Sequence, residues 1–338
     1  MPDYLGYPFD ENVFNYAWKQ VEDPTLTAMF ESGAVVADGE IENLISKGSD
    51  VYSTPFYKVL DGDEENYDGK TDIKTNEPGG GILSGVVYGR AHGWTERDFI
   101  RDYNSGADPM TQITTQVAKF WQKKRQARML GILNAVFGIT GNDAWALHTT
   151  DLSSASDTVT AANQISATTA KDAITKANGD NAGVYGMIWM HSHVANQLAK
   201  LNLLEYRKYT DASGIERQLN IADYNGLTVI VDDGAPVTGS GATAKYTTYL
   251  MGTGALRFAP APVSKPSEVS RDPAKNGGEN TLYTRIRETI LPNGFSFTKP
   301  STASASVTNA ELFDTKNWSL PAGIDPKNIA MARIITNA

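Results

Sequence analysis

The pattern of apolar and polar positions changes character several times along the chain. Over residues 1–50 neither a helical nor a strand period is sustained. Short amphipathic pieces at 12–19 and 25–31 predict one or two helical turns each, and Pro24, Gly33, Gly39 and Gly48 interrupt anything longer. Aromatics Tyr4, Tyr7, Phe9, Phe14, Tyr16, Trp18 and Phe30 are scattered through the stretch. It is too aromatic for a disordered tail and too broken for a core of its own, so it predicts an arm that gains order by lying on another surface. Residues 54–94 predict a long hairpin, with one strand at 55–60, a return at 82–89 and a polar, glycine-bearing tip between them. An isolated two-stranded ribbon is marginal in water, and this one needs a partner surface.

Asp108-Pro109 predicts the clearest helix start, with Asp as cap and Pro at the first helical position. Apolar residues follow at Ile113, Val117, Phe120, Trp121, Leu130, Leu133, Val136 and Phe137, until Gly138 or Gly141 stops the run. At 1.5 Å per residue this makes a rod of about 45 Å. Its middle carries Lys119, Lys123, Lys124, Arg125 and Arg128 where the apolar stripe is weakest, which predicts a solvated or partner-facing stretch.

The second half alternates. Ser166 is expected to cap a helix at 167–178 with Gly179 past its end; a buried strand spans 185–190; a helix at 193–202 carries Val194, Leu198 and Leu201 on one face. Strands follow at 227–231, 246–251 and 256–258. A hairpin of 280–291 with 294–297 is expected about Pro292-Asn293-Gly294, and a last strand at 328–335. The fold class is mixed α+β, without the regular βαβ rhythm of a nucleotide-binding sheet.

Cysteine is absent, which excludes disulfides, thiolate catalysis and cysteine-based metal sites. No apolar run approaches the length of a membrane span, and the start lacks a secretory signal, so a soluble chain made inside a cell is expected. The net charge of −9 is unevenly spread. Residues 1–68 hold fifteen acids against three lysines, while 119–128 holds five cations and no acid. An acidic arm and a basic segment invite pairing, within a subunit or between subunits. An acidic whole is a poor nucleic-acid binder, because that affinity comes mainly from neutralising phosphates.

Candidate chemistry is thin. His191-Ser192-His193 fits a strand-to-helix junction better than a metal pair, and Asp232-Asp233-Gly234 fits a turn as well as it fits acid–base carboxylates. Gly79-Gly80-Gly81 and Gly252-Thr253-Gly254 lack the spacing of a phosphate loop or dinucleotide fingerprint. No catalytic residue, cofactor site or metal site is assigned. Arm, ribbon and half-charged helix look built to be buried without being able to bury themselves, and self-assembly is the economical solution.

From about residue 25 onward, the order of elements resembles the major capsid proteins of tailed bacteriophages with the Hong Kong 97-type fold. The resemblance rests on the arm; the extended loop whose return meets Trp94 and Glu96-Arg97-Asp98-Phe99; the long helix opened by Asp108-Pro109-Met110; the segment Thr228-Val229-Ile230-Val231-Asp232-Asp233-Gly234-Ala235-Pro236-Val237; the strand from Tyr246 to Ala255; and Arg271-Asp272, Gly277-Gly278-Glu279 and Leu291-Pro292-Asn293-Gly294-Phe295. It implies an N-terminal arm at 1–50, an extended loop at 51–95, and a peripheral domain with the spine helix at 96–145. An axial domain at 146–265 follows, then a return to the peripheral domain with a C-terminal strand at 266–338. It implies a structural, non-enzymatic subunit forming pentamers and hexamers of an icosahedral head around double-stranded DNA, bound without sequence specificity, in a virion assembled in the bacterial cytoplasm. Expected partners are further copies of itself, a separate scaffolding protein, a portal and a decoration protein, with no membrane. Subunit-interface residues are expected at Phe56, Tyr57, Ile82, Val86, Trp94, Lys119, Lys123, Lys124, Arg125 and Arg128. Lys–Asn cross-links involving Lys70 or Lys74 carry no supporting motif. Alternatives at this stage are an encapsulin-type nanocompartment shell of the same fold and a monomeric α+β ligand-binding or hydrolase domain.

Overall fold

The computed structural model describes the chain apart from residues 1–2, 5–6, 9–10, 20, 22, 47–49, 59, 61, 68, 71–74, 76, 78, 98–108, 157, 211–215, 299–304 and 338. The expected cap Asp108, the loop lysine Lys74, and Asp98 and Phe99 lie outside the described residues.

The arm is three short helices, α1 (Glu11–Lys19), α2 (Pro24–Glu31) and α3 (Gly39–Ser46), with strand β1 (Val35–Ala37) between the last two. Asp23 caps α2 by accepting from the Leu26 N–H at 3.0 Å, and Pro24 follows it. Phe14, Trp18, Met29, Val35, Ile41 and Ile45 are buried. This corrects the expectation that a neighbour must cover the arm: from α1 onward it packs on its own subunit. The reason is β1, which adds in parallel to an internal sheet and so carries α2 and α3 into the core.

The ribbon is β2 (Val51–Tyr57) paired with β3 (Gly80–Val86), and the return continues as β4 (Tyr88–Arg97). The long helix α4 spans Pro109–Phe137, 29 residues without an interior proline. Its last three turns are buried on several sides, through Met129, Leu130, Ile132, Leu133, Val136 and Phe137.

The larger sheet has eight strands. In chain order they are β5 (Thr149–Asp151), β6 (Tyr185–Met190), β7 (Glu205–Thr210), β8 (Glu216–Tyr224), β9 (Leu227–Val231), the short pair Val237–Thr238, β10 (Lys245–Gly252) and the C-terminal strand. Helices α5 (Thr169–Asn178) and α6 (Ser192–Lys200) cover one face, meeting Ile188, Met190, Val229 and Leu250. The opposite face, with Met187, Trp189 and Tyr249, meets α4. Burial on both faces explains why 185–190 reads as an unbroken apolar run.

The second sheet has five strands: β1, β4, β11 (Leu256–Ala261), β12 (Ser267–Asp272) and β13 (Glu279–Pro292). Strand β13 is its axis. Its first half pairs with β12 and its second half with β11, while β4 runs antiparallel along its other edge from Glu279 to Glu288. The expected hairpin about Pro292-Asn293-Gly294 is corrected in part. The turn exists, with Gly294 at φ +85°, but β14 (Ser296–Phe297) pairs with β15 (Trp318–Ser319) and not with β13. The last strand, β16 (Met331–Asn337), leaves this region and inserts between β5 and β10 of the larger sheet.

Two smaller expectations also change. Thr168, not Ser166, precedes α5, and the Ser166 hydroxyl bonds that of Thr169 at 2.8 Å. Helix α6 ends at Lys200, which leaves Leu201 47% exposed.

Candidate assembly surfaces

The ribbon has two unlike faces. Val51 sits opposite Val86 and Tyr57 opposite Gly80, so Tyr52, Thr54 and Phe56 face inward with Gly85, Leu83 and Gly81 across from them. Tyr52 is 4% exposed; its hydroxyl meets Thr289 Oγ1 at 2.9 Å, and Thr289 donates to the Val86 carbonyl at 2.8 Å. The ring lies over Gly85, where an added Cβ would stand 2.2 Å from it, and the Phe56 ring covers Gly81 in the same way. A side chain at Gly85 therefore displaces the tyrosine that ties the ribbon to β13. Gly85→Val is expected to cost about 1–3 kcal/mol by overpacking and to free the ribbon base. Faster amide exchange over 51–57, with the larger sheet unchanged, checks this.

The outer face carries Val51, Pro55, Tyr57 and Ile82, with Tyr57 86% and Ile82 63% exposed. Among the expected interface residues, Tyr57 and Ile82 are thus on the surface, Phe56 is half-buried, and Val86 is buried in its own subunit. Trp94 is half-buried, edge-on to His92 and to Phe120 of α4, with ring centroids at 4.8 and 5.3 Å.

The basic stretch of α4 divides by helical phase. Lys119, Lys123 and Lys124 face outward, Lys124 lying over the Phe120 ring. Arg125 and Arg128, grouped with them in the sequence, turn into the subunit instead. Both meet Glu288 of β13, Arg125 Nε at 2.9 Å and Arg128 Nη2 at 2.5 Å. Glu288 and Arg128 are almost wholly buried, and the Tyr88 hydroxyl donates to the same carboxylate at 3.4 Å. Burial alone would push the Glu288 carboxyl up, but the two guanidinium groups outweigh it and hold it below its ordinary range. The expected pairing of acidic arm and basic helix exists within one subunit as Asp23 beside Arg125 at 3.9 Å, and the ribbon base adds Asp50 on Arg287 at 2.8 Å. Glu288, the centre of the network, gave no signal in the sequence. It is an acid in a strand 160 residues from its partner, and only a buried carboxylate's need for counter-charge marks it.

Beside this network an open groove of about 740 Å³ runs between the α1–α2 connection, α4 and the end of β11. Trp18, Trp121, Phe258, Pro260, Pro262 and Arg125 are among the residues that line it.

The other motifs are structural. His191 caps α6, its Nδ1 accepting from the His193 N–H at 3.1 Å, and Asp232 closes its turn by accepting from the Gly234 N–H at 2.8 Å. Among the described residues no group of three or more His, Asp or Glu could hold a metal ion, and no helix is long and apolar enough to cross a membrane.

No family model matches the chain. A curated relative, the major capsid protein of Bacillus phage SPP1, is 31% identical over 311 residues, covering 91% of this chain and 90% of that protein. Among solved structures, the capsid of Ralstonia phage GP4 aligns with a TM-score of 0.55 at 11% identity, over 91% of this chain and 90% of that one. The capsid of cyanophage Pam1 aligns with a TM-score of 0.50, also at 11% identity, over 88% and 87%. At such identities the two structures speak to the fold, and it is the α+β fold expected from the order of elements.

Proposed function

We propose an assembly role from one premise: the chain belongs to the major capsid proteins of tailed phages, as its 31% identity to the SPP1 protein over nine-tenths of both chains requires. It is a structural subunit of the phage head, not an enzyme, and it self-associates into the capsid shell of the virion. Its subunits group as pentamers and hexamers that close an icosahedral head around double-stranded DNA. The net charge of −9 supports this, since a wall that repels phosphate does not grip a tightly packed genome. A separate scaffolding protein, a portal and a decoration protein complete the set of partners.

The ribbon covers an adjacent subunit. Supporting this is its outer face, where Tyr57, Ile82 and Val51 stand exposed on a sheet that has two strands among the described residues. Electron microscopy of the expressed protein, with and without a scaffold, tests the role: closed shells or capsomers are expected, and a monodisperse monomer under both conditions would refute it.

The cations left for a neighbour are Lys119, Lys123 and Lys124. Each exposed pair contributes about 0–1 kcal/mol, so their effect comes from repetition around the shell. Charge reversal by Lys123→Glu with Lys124→Glu is expected to lower the salt concentration at which particles dissociate. Particles with unaltered salt tolerance would remove these lysines from the interface.

A further inference from the structure

The first two amides of α6 are held by side chains that respond to protons in opposite ways. The Ser192 N–H donates to Asp233 Oδ1 at 3.4 Å, and the His193 N–H donates to His191 Nδ1 at 3.1 Å. The carboxylate keeps its acceptor role into acid: bonds from Ser192 and the two nearby histidines hold Asp233 below the ordinary carboxylate range. An imidazole nitrogen accepts only while it carries no proton. His191 therefore caps α6 only as the neutral ring, with its one proton on Nε2.

The same nitrogen has a second neighbour at hand. Asp233 Oδ1 lies 3.7 Å from it, beyond hydrogen-bond reach but within ion-pair range, and the Ser192 hydroxyl lies at 3.4 Å. Three elements converge on this ring. Strand β6 ends one residue before it, α6 begins one residue after it, and the turn that follows β9 brings up Asp233. The titratable and charged groups facing it are His193 of α6, with ring centroids 5.3 Å apart, Asp232 and Asp233 of the turn, and Tyr246 of β10 at 4.9 Å. Burial, the largest influence, and His193 oppose a positive charge on the ring, while the two aspartates favour it. The balance holds His191 below the ordinary histidine range. The turn lies in turn against α4, since a Cβ at Gly234 would stand 3.5 Å from Leu130 Cδ1.

We propose that His191 is a proton-operated switch at the head of α6, which trades the helix cap for an ion pair with Asp233 when Nδ1 takes up a proton. The neutral ring ties the end of β6 to the start of α6. The protonated ring has a donor in place of an acceptor, turns to Asp233 and leaves the His193 N–H to water. One proton from solvent is consumed, and no other bond is made or broken covalently. The sign follows from the neutral resting state: the folded subunit binds this proton less readily than the unfolded chain, so stability is lost as the pH falls below the ordinary histidine range. The switch belongs to the single subunit and does not depend on the assembly role.

Isotope labelling of the histidine ring nitrogens in unassembled subunits reads both states by NMR. The chain has four histidines, and the signal absent from His191→Asn is that of His191. At neutral pH its Nδ1 is expected without a proton, and its titration is expected below the ordinary value of about 6.5. Hydrogen exchange over 192–199, corrected for its intrinsic pH dependence, is expected to quicken about fivefold across the same transition, as loss of one cap implies. Asparagine caps without titrating, so His191→Asn should keep the neutral-pH protection and abolish the acid response. Asp233→Asn keeps an acceptor for the Ser192 N–H but removes the charge, and should move the His191 titration lower still. Asp233 is 74% exposed, so this variant tests the exchange of partners even where His191→Asn does not fold. A proton on Nδ1 at neutral pH, or a titration at or above the ordinary value, overturns the capped state. An unmoved titration in Asp233→Asn overturns the ion pair, and an undiminished acid response in His191→Asn overturns the switch.

Discussion

Replacing Glu288 by alanine is expected to destabilise the subunit by about 3–5 kcal/mol, because two arginines lose their shared counter-charge while one of them stays buried. Arg128 is 3% exposed and cannot turn to water without unpacking Tyr88, over whose ring its guanidinium lies at 5.4 Å. The loss is in the uncompensated charge more than in the pair itself. Glu288→Leu combined with Arg128→Met should therefore recover most of it. Denaturant titration of unassembled subunits measures both, and a loss below about 1 kcal/mol for Glu288→Ala would mean that the network does not anchor α4 to β13. The pH dependence has a definite sign. A carboxyl held below its ordinary value contributes stability at neutral pH, which is lost as the pH falls through the folded-state value. The parent should lose stability in acid below the ordinary carboxylate range. Glu288→Gln should be weaker at neutral pH and change less on acidification.

Trp145→Ala is the second large effect, about 3–5 kcal/mol. Trp145 is 1% exposed and sits where the end of α4, the Gly294 turn and the last strand come together. Its ring stacks on Phe137 at 5.0 Å and His148 at 4.6 Å and takes Phe295 edge-on at 4.9 Å, while its Nε1–H donates to the Val136 carbonyl at 3.2 Å. Alanine leaves a cavity bounded by elements of both sheets and removes one of the two donors to the Val136 carbonyl, which keeps the Ile139 N–H at 3.2 Å. Trp145→Phe keeps most of the aromatic contact and should cost less than half as much. The midpoint and slope of denaturant unfolding separate a cavity, which moves the midpoint alone, from a loosened joint, which also changes the slope.

The sequence by itself determined the kinds of element and, through their order, the family. Strands 185–190 and 227–231, the helix from Pro109 to Phe137 and the ribbon were legible because each is set by near neighbours: a period, a cap, a proline, a glycine stop. The tertiary structure alone decided which surfaces meet. Lys124 and Arg125 are adjacent in sequence, yet one faces solvent and the other Glu288, since each residue turns the helix by about 100° and burial far along the chain selects the inner face. Tyr52 meets Thr289 across 237 positions, β1 carries the arm into the core by pairing with β11, and β14 finds β15 in place of its sequence neighbour. Such pairings follow from hiding apolar area and matching buried charge between distant segments, which no local pattern encodes.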